Sequence, residues 1–189
     1  MTDLGVWYTQ QIDDVASALR DSFEAMVIDQ AVEEVVGFGI ISDPTDFTCT
    51  QAVNLKANLD AHMRQYVELG LGDATMAARA GMWRPGNWAK FGDDSSPGGQ
   101  RMIRFAREAQ ERTQRSGEKE LGTMMFWECL VQAMVQLFED GFFAPYPSAV
   151  QVIDIVDLDH DRAPFDRWIA GINTQAAYDD YREFVASGA

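Results

Sequence analysis

The sequence predicts a single α+β domain over residues 1–189, with a small, mainly antiparallel sheet, helices packed on it and one central buried helix. Three observations carry that prediction. Apolar residues recur at helical spacing in several separate windows. Two short runs with strand character are joined by turn residues as a hairpin. The length of 189 residues fits one domain, and a domain of that size hides roughly 70% of its unfolded surface.

The elements follow in order. Ile12, Val15, Leu19, Phe23 and Met26 share one face of a helix from about Thr9 to Ile28, and Asp13, Asp14, Asp21 and Glu24 line the other. Val36, Phe38 and Ile40 alternate with Val35, Gly37, Gly39 and Ile41, which reads as a strand covered on both faces. Ser42-Asp43-Pro44-Thr45-Asp46 is turn chemistry, and Phe47 to Val53 returns as a Thr-rich second strand. Asn54 is placed to cap a helix carrying Leu55, Leu59, Met63, Tyr66 and Val67, ended by Gly70 and Gly72. Met82 to Phe91 reads as a short extended piece or loop, because Pro85 disfavours a helical Arg84. A flexible Gly92–Gly99 loop leads to an Arg-rich helix over about Gln100 to Arg115. Leu121 to Phe138 carries two apolar stripes and must be covered nearly all round, so it is the core helix. Val150 to Val156 is a third strand, and Phe165–Ile172 and Ala176–Ala186 are two closing helices.

Composition narrows function. Apolar residues make up 47% and aromatics 11%, which excludes disorder as the main state. There are 30 acids against 15 Lys+Arg, a net charge of −15. Such a surface repels polyanions, so free-standing nucleic-acid binding is disfavoured. Residues 1–60 hold 11 acids and 2 bases, residues 61–115 hold 6 and 9, and residues 116–189 hold 13 and 4. Two acidic ends therefore flank a mildly basic middle. Cys49 and Cys129 have neither CxxC nor metal-ligand spacing and read as two reduced thiols, with one disulfide as the alternative. The first residues lack a basic or apolar leader pattern, and no run approaches the ~18–20 apolar residues of a membrane span. A cytoplasmic protein that does not engage membranes is the expectation.

Chemical motifs are sparse. Gly37-Phe38-Gly39 and Gly70-Leu71-Gly72 each begin a GxGxxG, but Ser42 and Thr75 stand where the third glycine belongs. No pattern implies a cofactor or a bound metal. His62 lies on the polar side of its helix and reads as a solvated surface histidine. Asp157, Asp159 and Asp161 alternate around His160 like the start of a calcium loop. Arg162 and Trp168, however, stand where such a loop needs its Gly and its bidentate Glu. Asp154 falls among Val150, Val152 and Val156 on one strand face and needs a partner, expected among the arginines of 101–115, with a functional site as the alternative. Trp83 and Trp88, in Met82-Trp83-Arg84-Pro85-Gly86-Asn87-Trp88, suit either a lid on the core or a partner anchor.

Several pieces in this order carry a resemblance. They are the Val35–Ile41 strand, Thr48-Cys49-Thr50-Gln51-Ala52-Val53-Asn54, the Trp83–Trp88 stretch, the long core helix, and a closing strand with Asp157 leading to Trp168-Ile169-Ala170-Gly171-Ile172-Asn173. Over roughly residues 5–185 the chain resembles an uncharacterised family of small cytoplasmic bacterial proteins with a mid-chain tryptophan pair. Families of this style are often encoded beside polymorphic toxins as immunity proteins. The resemblance implies a binding role without catalytic residues, and a basic toxin domain encoded nearby as partner. Asp43, Asp46, Asp157 and Asp159 are then the expected charge-complementary contacts, with Trp83 and Trp88 as anchors. The alternatives are a small metal-dependent hydrolase using the Asp157–Asp161 cluster and an adaptor subunit whose partner is not toxic.

Overall fold

The computed structural model describes residues 3–43, 46–88, 90–92, 95–155 and 163–187. Its helices are α1 (Asp3–Val27), α2 (Lys56–Glu68), α3 (Ala74–Trp83), α4 (Pro97–Ser116), α5 (Lys119–Glu139), α6 (Ala163–Ile172) and α7 (Gln175–Ala186). Its strands are β1 (Val35–Asp43), β2 (Thr48–Leu55), β3 (Lys90–Phe91) and β4 (Val150–Ile155). The sheet order is β3-β2-β1-β4. β1 pairs antiparallel with β2, β2 antiparallel with β3, and β1 parallel with β4. The α+β class and the mainly antiparallel sheet are those the sequence predicts.

α1 starts earlier than its periodicity suggests, because Leu4, Trp7 and Tyr8 are buried as well. Trp7 stacks on Phe105 of α4 with ring centroids 6.0 Å apart, and the Arg112 guanidinium lies 4.8 Å above its ring. α4 opens on Ser96, whose hydroxyl accepts from the Gly99 amide, with Pro97 at its first position. It closes at Gly117, whose φ of 74° is left-handed. Gly98 lets α4 meet α1, since a Cβ there would lie 2.5 Å from the Ala18 carbonyl oxygen.

α5 is the core helix, burying Phe126, Cys129, Leu130, Ala133, Met134 and Leu137. It packs against α1, α4 and α6. By length and composition alone it is apolar enough to cross a membrane, and 44% of its apolar window is buried in the protein.

Three local expectations are overturned. Asn54 does not cap α2; it sits buried in β2, and its Nδ2 donates to the Gly81 carbonyl at 3.0 Å. α2 instead begins after Leu55, with no side-chain cap. α3 has no counterpart in the sequence reading, although Asp73 caps it by accepting from the Met76 amide at 2.9 Å. Its packed face is built from Ala77, Ala80 and Gly81, too small to register as an apolar stripe. The 82–91 stretch divides into the end of α3, a 3-10 turn at Pro85–Asn87 and β3.

Side-chain amides also bond the strands' backbone. Gln51 Nε2 donates to the Cys49 carbonyl at 2.7 Å on β2, and Gln151 Nε2 to the Ala149 carbonyl at 2.9 Å on β4. Asn173 behaves as a short extra strand: its Oδ1 accepts from the Gln151 amide and its Nδ2 donates to the Gln151 carbonyl.

Candidate functional site

Register assigns every strand residue to one of two faces, because side chains alternate and paired residues point the same way. The inner face carries Phe38, Ile40 and Ser42 of β1, Cys49, Gln51 and Val53 of β2, and Gln151, Ile153 and Ile155 of β4. Helices cover it. Ser22 of α1 donates to Gln51 Oε1 at 3.1 Å, and Trp127 of α5 donates to Ser42 Oγ at 3.2 Å. Cys49 Sγ lies 3.9 Å from the Met102 carbonyl of α4.

The outer face carries Gly37, Gly39, Ile41 and Asp43 of β1, Thr48, Thr50, Ala52 and Asn54 of β2, Val150, Val152 and Asp154 of β4, and Phe91 of β3. Its first half is closed by the Pro85–Trp88 segment. A Cβ on Gly37 would lie 2.9 Å from the Trp88 ring, and one on Gly39 2.8 Å. The Gly37-Phe38-Gly39 motif is therefore a slot for an indole, not a phosphate loop. Trp88 Nε1 donates to the Gly81 carbonyl at 2.9 Å, which fastens the segment to α3.

The second half of that face is only partly covered. Thr48 and Thr50 are exposed, Ile41 and Asp154 are half-buried, and Phe91 is 46% exposed. Thr50, Ile41 and Asp154 are lateral neighbours across β2, β1 and β4. Phe91 stands one row back on β3.

Asp154 is the distinctive group there. Burial pushes its carboxyl above the usual carboxylate range, and the Arg84 charge pulls it only part of the way back. Among the described residues, no hydrogen bond or ion pair reaches it. The arginines of 101–115 do not serve it, contrary to expectation. Arg101 pairs with Asp21 of α1, Arg112 with Glu108 and Arg115 with Glu111. They lie with α4 on the far side of the sheet. Arg84 itself is exposed, its guanidinium 5.8 Å from the centre of the Phe184 ring.

The expected partner residues divide. Asp43 and exposed Asp46 sit at the β1–β2 hairpin, at the open end of the outer face. Trp83 and Trp88 are 4% and 3% exposed, so both are core residues and not surface anchors. Trp83 is held by Asp180, which accepts from its Nε1 at 2.8 Å, and it packs edge-on against Tyr181 at 5.2 Å. Asp157 and Asp159, with His160 and Asp161, lie outside the described residues. β4 ends beside Ser42, next to the hairpin. His62 is not solvated: it is half-buried between α2 and α3, beside Tyr66 and Gly81, with Nε2 enclosed and unbonded. Both cysteines are free thiols, and burial pushes each up to about 12.

Ile41, Thr48, Thr50, Phe91 and Arg84 were not singled out by sequence. The available signal was Thr48-Cys49-Thr50-Gln51, whose alternation marks one polar and one covered face. Among the described residues, no group of three or more His, Cys, Asp or Glu side chains could hold a metal ion. The largest cavity described, about 550 Å³ beside the start of α7, is lined by Trp83, Phe143, Tyr146 and Asp180 among others. Comparison of the chain with family models, with curated proteins and with solved structures finds no match.

Proposed function

We propose that this chain is a binding protein that captures a cationic protein partner, and that it works in the cytoplasm as an immunity protein occluding a basic toxin domain. The observation that carries the reading is the partly exposed, carboxylate-bearing half of the outer sheet face in a chain of net charge −15. Proteins that hold nucleic-acid phosphates are cationic. An acidic captor draws them in by long-range attraction, which raises association rates to about 10⁸–10⁹ M⁻¹s⁻¹ at low salt. The family resemblance supports the toxin as the class of partner.

The test is stopped-flow association with the basic domain encoded beside this chain. The rate falls steeply as salt rises, because exposed charges are screened beyond about 8–10 Å at physiological ionic strength. Asp43→Asn and Asp46→Asn slow association and flatten that salt dependence. A rate that is the same at low and high salt removes electrostatic capture as the function.

A further inference from the structure

We propose that α2 is a self-association surface, on which a second copy of this chain lays its own α2 antiparallel, so that Lys56 meets the second copy's Glu68 and Asp60 its Arg64.

α2 is built as an outrigger. It packs against α3 and touches β2, and none of its residues is buried. Asn58, Leu59, His62, Met63 and Tyr66 are half-covered, while Lys56, Asp60, Arg64 and Glu68 form an exposed row at a spacing of four. α4 uses that spacing internally, pairing Glu108 with Arg112 and Glu111 with Arg115. In α2, by contrast, no ion pair or hydrogen bond joins the row's side chains to each other or to any described residue.

The order of charge selects the occupant. The row reads plus, minus, plus, minus, and read backwards it reads minus, plus, minus, plus. An antiparallel copy with its two-fold axis at the height of His62 therefore sets opposite charges together at every position. A parallel copy, or a partner of one sign, meets like charges. Rows spaced by four are the ridges of helix packing, and two of them lie along each other when helices cross at about −50°. Ala57 and Ala61, exposed and small, leave room beside the row. Val67, 45% exposed, adds apolar area at each end.

The row is neutral in a chain of net charge −15, so two copies can meet there without facing acid to acid. α1, with Asp3, Asp13, Asp14, Asp21 and Glu24 against Arg20, offers no such surface. α2 also starts at the end of β2 away from the β1–β2 hairpin. A dimer through it leaves both hairpins free. Exposed ion pairs are weak and the helix is about 20 Å long, so the dimer forms only at high protein concentration.

The test is sedimentation equilibrium of the full chain from about 10 µM to about 1 mM, at an ionic strength that screens the net charge. The mass rises from 21.1 kDa toward twice that value. Asp60→Arg and Arg64→Asp, each alone, set like charges across the axis twice and weaken association at least about tenfold. An equimolar mixture of these two single variants restores it as a heterodimer, as does the double variant alone, which also shows that both single variants are folded. The proposal is overturned if the parent stays at 21.1 kDa throughout, if either single variant associates like the parent, or if the mixture stays monomeric. Each of these outcomes leaves the salt dependence of partner capture untouched, so the proposed function stands or falls separately.

Discussion

At the scale of single residues, Asp154 is a strand carboxylate held partly out of water. Its folded carboxyl titrates above its unfolded value, chiefly because burial disfavours the charge. The folded state therefore holds the proton more tightly than the unfolded chain between those two values. Any stability Asp154 contributes is present at acid pH and is lost as pH rises through the folded value. Asp154→Asn removes that loss. The melting temperature of the variant exceeds that of the parent at neutral pH, and the gap closes as pH falls into the carboxylate range. Thermal melts of both proteins across that range check it. A variant less stable at neutral pH would mean that Asp154 stands in a net stabilising pair.

At the scale of elements, the contact between Trp88 and β1 joins two motifs far apart in sequence. The indole lies on Gly37 and Gly39 because any side chain there would occupy its place. Trp88→Ala empties a buried site and costs roughly 3–5 kcal/mol. Gly39→Ala drives a methyl into the ring and costs roughly 1–3 kcal/mol. Once the ring is gone the methyl has room, and alanine is the better strand residue. The double variant is then no less stable than Trp88→Ala alone, a coupling of at least about 1 kcal/mol. Denaturant unfolding of the four proteins measures it, and additive losses would place the glycines' role elsewhere. The same contact covers the outer face as far as Gly39.

At the scale of the whole molecule, the charge imbalance works against compactness. The 30 acids outnumber the 15 bases, and the described ion pairs are partly exposed surface contacts such as Arg20–Asp140 at 3.2 Å. Pairs of that kind contribute about 0–1 kcal/mol each. Repulsion among the remaining carboxylates therefore exceeds what surface pairing returns. Moderate sodium chloride screens it, so the melting temperature rises from low to physiological ionic strength even as partner capture slows. A melting temperature that falls over that range would show that attractive pairs dominate the surface. Opposite responses of stability and association to one variable are what an acidic captor entails.

The sequence by itself determined the parts governed by local period and turn chemistry. Ile12 to Met26 keeps helical spacing long enough to specify α1, the hairpin from Val35 to Leu55 is announced by its turn, and the double stripe of α5 requires burial on most sides. It also determined the electrostatics, because net charge does not depend on fold. Tertiary structure alone decided what meets across the sheet. α3 is held by small residues whose packing value comes from the neighbours that approach them. Asn54 looked like a cap because nothing local shows that the Gly81 carbonyl will arrive opposite it. The two tryptophans carried equal signals for core and for anchor, and burial is a property of what folds over them. The partly exposed half of the outer face was illegible for the same reason. Thr50, Ile41, Asp154 and Phe91 come from four strands, and only strand register, set by pairing across long stretches of chain, turns them to one side.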